Sequence, residues 1–163
     1  MSAEKVYSLL AELGIRYEKL EHAPVYTIAE AMRENIPGRI EGTECKNLFL
    51  RSGDSYYLYV LEGDRNADLK ALASFLNEKK LRFASAGELN GLLSLEAGSV
   101  TPLGVINDAA KRVTLVIDGS LRNRKLLVHP NVNTATIALM YEDLIRIAES
   151  TGHSCRVFEK GEL

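Results

Sequence analysis

An α+β fold built on a mixed β-sheet is what the sequence predicts. Short apolar runs of strand length recur along the whole chain. Two of them, Asn47 to Arg51 and Tyr56 to Leu61, flank the turn Ser52-Gly53-Asp54-Ser55 and read as a hairpin of well-buried strands. Helical patterns fall irregularly between the strands, which is the arrangement of an α+β layout.

The elements follow in chain order. Ser2 caps a first helix whose Val6, Leu9, Leu10 and Leu13 recur at i, i+3, i+4 and i+7, and Gly14 ends it. Ile15 to Leu20 alternates like a half-buried strand. Thr27-Ile28-Ala29-Glu30 is a capping box, in which hydroxyl and carboxylate satisfy each other's backbone donors. It opens a short helix to about Asn35, which Pro37-Gly38 stops. After the hairpin, Ala67 to Leu76 is helical, with Leu69, Leu72, Ala73 and Leu76 on one face. Ser85-Ala86-Gly87-Glu88 is a second capping box, for a helix ending near Leu93. Gly98 to Gly104 is a loop by composition. Val113 to Ile117 and Leu126 to His129 are strands. Ala135 to Leu139 is a strand leading into a helix that turns Leu144, Ile147 and Ala148 inward, and His153 to Phe158 closes the chain as a last strand.

Bulk properties narrow the function. At 163 residues the chain suits one domain, spanning 1–163, with short turn signals and no linker. Its 46% apolar and 26% charged residues are those of an ordinary globular protein. A net charge of −2 does not announce a non-specific duplex binder, which is usually basic, but leaves room for one that grips a single RNA end. Cys45 and Cys155 lie far apart with no C-x-x-C, so reduced thiols in a cytoplasmic protein are the plain reading. No apolar stretch reads as a signal peptide or a membrane span. Walker, G-x-G-x-x-G, H-E-x-x-H and G-x-S-x-G patterns are missing, and His22, His129 and His153 do not cluster. The residues therefore argue for neither a metal nor a cofactor.

Three features could carry chemistry. Lys46 stands at the mouth of the strand Asn47-Leu48-Phe49-Leu50. An arbitrary lysine there is a solvated surface residue; beside a pocket it is a fixed cation for a phosphate or an ester oxygen. The Gly98–Gly104 loop, with Pro102 inside it, is a common connector by composition, and equally a stiff loop whose backbone can approach a ligand. His129 precedes Pro130 and Asn131, which biases it towards an extended conformation. It reads equally as a turn histidine and as one that orients a water or donates to a ligand. Two basic groups, Lys79-Lys80-Leu81-Arg82 and Arg122-Asn123-Arg124-Lys125, are ordinary solvated faces, or phosphate contacts if RNA is the ligand.

These pieces, in order, resemble the YbaK/ProX family of aminoacyl-tRNA editing domains. The matching stretches are His22-Ala23-Pro24-Val25-Tyr26-Thr27, then Cys45-Lys46-Asn47-Leu48-Phe49-Leu50-Arg51, then Gly98 to Asp108, then His129-Pro130-Asn131 with Asn133 to Thr136. Each is weak alone; together they span nearly the whole chain. The Lys-Asn-Leu-Phe-Leu-Arg form is similar to the branch that clears alanine from proline tRNA. The resemblance implies a barrel-like mixed sheet with surrounding helices, and a free-standing deacylase, since the chain lacks the length of a synthetase. It implies Lys46 as an electrostatic anchor for the tRNA 3′ end and the ester. The Gly98–Pro102 loop, with Ser99, Val100 and Thr101, would hold the substrate's amino group or the attacking water. His129 would shape the pocket and orient the water. Tyr26, Thr27, Ile28, Asn47, Pro130 and Asn131 are implied substrate contacts, and a free ribose hydroxyl of the substrate assists.

The partners implied are the tRNA acceptor end and prolyl-tRNA synthetase. A monomer is expected from the residues, because no strongly apolar surface stripe is left over once each element has turned one face inward. Other readings stay open: the same fold acting on cysteine-, serine- or threonine-charged tRNA, a non-catalytic module sensing tRNA or an amino acid, and a structural protein.

Overall fold

The computed structural model describes residues 3–159. Helix α1 (Ala3–Glu12) buries Val6 and Leu10 of the expected stripe; its Ser2 cap lies outside the described residues. Strand β1 (Glu18–Glu21) starts later than the alternation suggests and is mostly exposed, because it pairs with one neighbour, at the sheet edge. Helix α2 (Ile28–Arg33) is capped by Thr27, whose hydroxyl accepts from Glu30 N–H at 3.0 Å. Glu30 reaches back one residue further than a capping box requires, accepting from Tyr26 N–H at 3.3 Å.

Pro37-Gly38 does not stop this helix. Asn35 breaks it, at φ 54°, and Pro37 sits in the first turn of a further short helix, α3 (Ile36–Arg39). Proline is tolerated there because first-turn N–H groups have no helical partner to lose.

Strand β2 (Thr43–Ser52) and β3 (Ser55–Glu62) form the expected hairpin, in register from Cys45↔Glu62 to Ser52↔Ser55. Helix α4 (Leu69–Phe75), the two-residue strand β4 (Arg82–Phe83) and helix α5 (Ala86–Leu93) follow. The Ser85/Glu88 capping box of α5 is complete. Gly98–Gly104 is not loop throughout: Thr101 caps a 3-10 helix over Pro102–Asn107, again with proline in its first turn. Strand β5 (Val113–Asp118), a short 3-10 helix (Gly119–Leu121), β6 (Lys125–Val128), β7 (Ala135–Met140), helix α6 (Tyr141–Ser150) and β8 (Cys155–Phe158) complete the order. His153 precedes β8, held by buried side-chain contacts rather than by the ladder.

Among the described residues eight strands form one mixed sheet, in the order β1-β7-β6-β2-β3-β5-β8, with β4 added on β2. Its two ends wrap a shared core. Leu58, Val60, Leu115 and Ile117 from one half and Leu126, Val128, Ile137 and Leu139 from the other belong to a single buried cluster with α1, α5, α6 and the 3-10 helix. This is the barrel-like curvature. Outside it, α4 covers β3 and β5 through Leu72, Ala73 and Leu76, and α2 and α3 cover β6 and β7 through Ala31 and Ile36.

Strand β2 holds the halves together. One edge pairs with β3 along nearly its whole length. The other pairs with β6 only at Thr43 and Glu44, and with β4 only at Leu50 and Arg51. Between these contacts the edge of β2 is open.

Candidate active site

The open edge of β2 is the floor of a pocket of about 420 Å³. Backbone direction along the strand follows from its ends. Glu44 C=O accepts from Gly63 N–H on the β3 side, and Phe49 C=O accepts from Ala84 N–H on the other. Backbone groups alternate sides along a strand, so Asn47 turns its N–H and C=O into the opening. One wall is Val25, Tyr26 and Thr27 with Ala31 and Ile36; the facing wall is Phe83, Ala84 and the start of α5. Gly98, Val100 and His129 close the remaining side.

Lys46 is half-buried in this pocket and forms no ion pair among the described residues. Two residues back on the same strand face, Glu44 also lines it. Burial raises the Glu44 carboxyl above its ordinary range, and no hydrogen bond or ion pair among the described residues offsets that. The pocket thus holds an unpaired cation and an unpaired carboxyl. Cys45, between them, is no nucleophile: burial, with the Glu44 and Glu62 charges adding to it, pushes its thiol up to about 12. The reactive species is the thiolate.

His129 is held neutral. Burial lowers its pKa, more than the bond to the Ala135 carbonyl raises it, and the nearby His22 lowers it further. Its Nδ1 lies 3.0 Å from Ala135 O, an acceptor only, so Nδ1–H donates. Nε2 is then a lone-pair acceptor with no partner among the described residues. His22 stacks edge-on at 6.2 Å and is itself fixed by Thr136, whose Oγ1 lies 2.8 Å from His22 Nε2.

The loop before the 3-10 helix is positioned rather than free. Gly98 takes φ 84°, a left-handed conformation that favours glycine, and lies against Tyr26. Asn47 Nδ2 donates to Val100 O at 3.2 Å, while its buried Oδ1 has no partner. Thr101 is fully buried and donates to His129 O at 2.6 Å. Asn131, at φ 62°, donates to Leu103 O at 3.2 Å. Loop and histidine turn are thereby one unit.

Of the residues singled out in the sequence, Lys46, Gly98, His129, Tyr26, Thr27, Asn47 and Val100 line one pocket. Ser99, Thr101, Pro102, Pro130 and Asn131 do not line it; Thr101 and Asn131 brace those that do. Ile28 begins α2, and its side chain lies outside what the structure describes. Sequence reasoning missed Glu44 and Phe83 as site residues. Starting the strand at Asn47 rather than Thr43 hid the i, i+2 relation of Glu44 to Lys46. Phe83, in a two-residue strand, leaves no periodic signal.

α5 is tied to the same floor. Glu88 pairs with Arg51 and accepts from Tyr56 Oη–H at 2.6 Å. The Ser85 N–H first, then the Tyr56 hydroxyl, hold its carboxyl down at about 2, so this link stays ionised. Among the described residues no group of His, Cys, Asp and Glu could hold a metal ion, and no helix is long and apolar enough to cross a membrane.

A family model described as the aminoacyl-tRNA editing domain matches residues 22–147. The chain is 41% identical over 162 residues to the prolyl-tRNA editing protein ProX of Acetoanaerobium sticklandii, covering 96% of both chains. It is 34% identical over 151 residues to prolyl-tRNA synthetase associated domain-containing protein 1 of Bos taurus, covering 88% of this chain and 86% of the relative. It superposes on the crystal structure of a candidate trans-editing enzyme for prolyl tRNA synthetase with a TM-score of 0.73 at 19% identity, over 98% of this chain and 97% of the other. A structure of a hypothetical protein gives the same TM-score at 22% identity, over 94% and 97%. The two structural likenesses speak to the fold alone.

Proposed function

The chain belongs to the aminoacyl-tRNA editing domain family, and from that premise we propose that it hydrolyses mischarged proline tRNA, alanine being the amino acid removed. The observation that carries this is the gap in the β2 edge, where a Lys46 and a Glu44 without ion-pair partners among the described residues meet a neutral His129 in one pocket. A synthetase pocket shaped for proline cannot exclude the smaller alanine, since missing methylenes give only about 1–3 kcal/mol of discrimination. A second site that admits the small residue supplies the remainder. The apolar end formed by Val25, Ala31, Ile36 and Leu127 suits a methyl side chain.

Charge and geometry support the following roles. Lys46 holds the terminal phosphate and the ester by charge. Glu44 faces the α-ammonium of the amino acid, a task the sequence reading gave to the Gly98–Pro102 loop. Water attacks the ester carbon, and its proton goes to His129 Nε2. The Asn47 N–H, aimed into the opening, donates to the oxyanion. The carbon–oxygen bond to the ribose breaks, and the ribose oxygen takes up the proton from His129. The neighbouring ribose hydroxyl helps orient the water. Products are free alanine and uncharged tRNA. No cofactor enters.

We further propose that the whole chain works as one editing domain, a cytoplasmic monomer that receives tRNA acceptor ends released by prolyl-tRNA synthetase. Large exposed apolar side chains are few among the described residues, and two of them, Tyr26 and Phe83, rim the pocket.

The test is deacylation of proline tRNA charged with alanine, cysteine, serine or threonine, by wild type and Lys46→Ala. The alanine ester should be cleared fastest, with Lys46→Ala at least about 100-fold slower, the scale of losing one preorganised electrostatic contact. Faster clearance of another ester reassigns the substrate. A folded Lys46→Ala variant with wild-type turnover removes Lys46 from the mechanism.

A further inference from the structure

We propose that the segment Lys79–Phe83 seats the single-stranded 3′ end of the tRNA, with Phe83 stacking a base at the pocket mouth and Lys79, Lys80 and Arg82 taking the phosphates behind it. This rests on the editing reading of the pocket. The two basic groups of the sequence part company in the structure. Arg122 pairs with Glu159, Arg124 with Glu62, and Lys125 with Glu18 and Glu41, so that group is neutralised by carboxylates. Lys79, Lys80 and Arg82 are exposed and form no ion pair among the described residues.

The second group also ends on an aromatic ring in an unusual position. Phe83 is 58% exposed, yet its backbone is pinned: it pairs with Leu50 of β2, and the next residue, Ala84, donates its N–H to Phe49 O at 2.9 Å. The ring is presented to water at the rim of the pocket that holds Lys46. Across the pocket, on the wall formed by the chain before α2, stands a second exposed ring, Tyr26, at 48%.

A fixed, half-exposed ring preceded by three cations that form no ion pair among the described residues matches a single-stranded nucleic acid. Bases stack on aromatic faces without regard to sequence, and lysine and arginine neutralise the strand between them. From Lys79 to Phe83 the chain can reach ~14 Å at most. That suits the last few unpaired nucleotides rather than a duplex stem, and agrees with a net charge of −2.

The probe is a fluorescent single-stranded RNA oligonucleotide ending in CCA, with affinity measured by anisotropy at several salt concentrations. Phe83→Ala should weaken binding about ten-fold, and Phe83→Trp should restore it, since stacking needs a π-face and not a particular ring. The Lys79→Ala/Lys80→Ala pair should lower the slope of log affinity against log salt by ~1.4, the single-strand value for two phosphate contacts. Equal affinity in wild type and Phe83→Ala, or a Phe83→Trp variant as weak as Phe83→Ala, overturns the proposal; a protein partner for this segment would give that result. Wild-type deacylation of the charged tRNA panel is run beside it. If the oligonucleotide ignores Phe83 while the charged tRNA is cleared, the seat is wrong and the editing reading stands. If no charged tRNA is cleared, the editing reading falls and takes this proposal with it.

Discussion

At the scale of single residues, the role proposed for Glu44 sets function against stability. Burial raises its pKa, so the folded state holds a proton that the unfolded chain releases at lower pH. Well below the ordinary glutamate range both states are protonated, and the group is neutral in its effect. As pH rises through the window between the ordinary and the raised value, the folded state loses stability, and at neutral pH the full burial penalty remains. Glu44→Gln should therefore raise the thermal midpoint at pH 7, by about 1–3 °C, and leave it unchanged near pH 3. The same variant should lose deacylase activity, mainly through a higher KM, because the counter-charge for the α-ammonium is gone. Opposite signs in the two measurements mark a group kept for chemistry at a cost in stability. A variant neither stabilised nor impaired sinks the role. Lys46 was legible through the family resemblance, although it lies inside β2 rather than at the strand mouth expected for it; Glu44 was not, since its meaning depends on a burial that no local pattern announces.

At the scale of elements, the sequence was readable wherever the cause was local. The β2–β3 turn, the α5 capping box and the α6 face with Leu144, Ile147 and Ala148 are all set by residues a few positions apart. Errors arose where a local signal had two outcomes. Proline can end a helix or open one, and at Pro37 and Pro102 it opens one. The Gly98 loop shows how an element acts on the site. A Cβ at Gly98 would sit 3.6 Å from Tyr26, ordinary contact, so space is not the obstacle; φ 84° is. Gly98→Ala should cost about 1 kcal/mol in stability through backbone strain alone. Activity should fall much further, by about ten-fold or more, because Val100 and Thr101 carry any shift of this loop to Asn47 and His129. Ser99→Ala, next door and outside the pocket lining, is the control and should change neither. Activity losses no larger than the stability loss explains would make the loop a mere connector.

At the scale of the whole molecule, the site exists because one strand runs out of partners midway. The partners that stop short, β4 and β6, lie far along the chain from β2, so no reading of residues 43–52 by themselves could place the gap. What the sequence did carry, through the family resemblance, was the set of stretches that converge there. One of those stretches, Gly98 to Asp108, ends in a residue with a different task. Asp108 is 3% exposed, and its Oδ2 accepts from Val113 N–H at 2.9 Å and lies 3.0 Å from His153 Nε2. His153 Nδ1 in turn lies 2.9 Å from Thr151 Oγ1 at the end of α6. The end of the 3-10 helix, the start of β5 and the end of α6 are thus locked together beneath the shared core. Asp108→Ala strands a buried N–H and a buried imidazole at once, an expected loss of about 3 kcal/mol or more. Urea unfolding should show the midpoint falling with an unchanged slope, the signature of lost stability without lost compactness. Since Asp108 is not among the pocket-lining residues, deacylation per folded molecule should stay within about two-fold of wild type well below the new midpoint. A large loss of turnover in the still-folded variant would mean that the lock at α6 also sets the geometry around Lys46, and that the scaffold and the site cannot be separated.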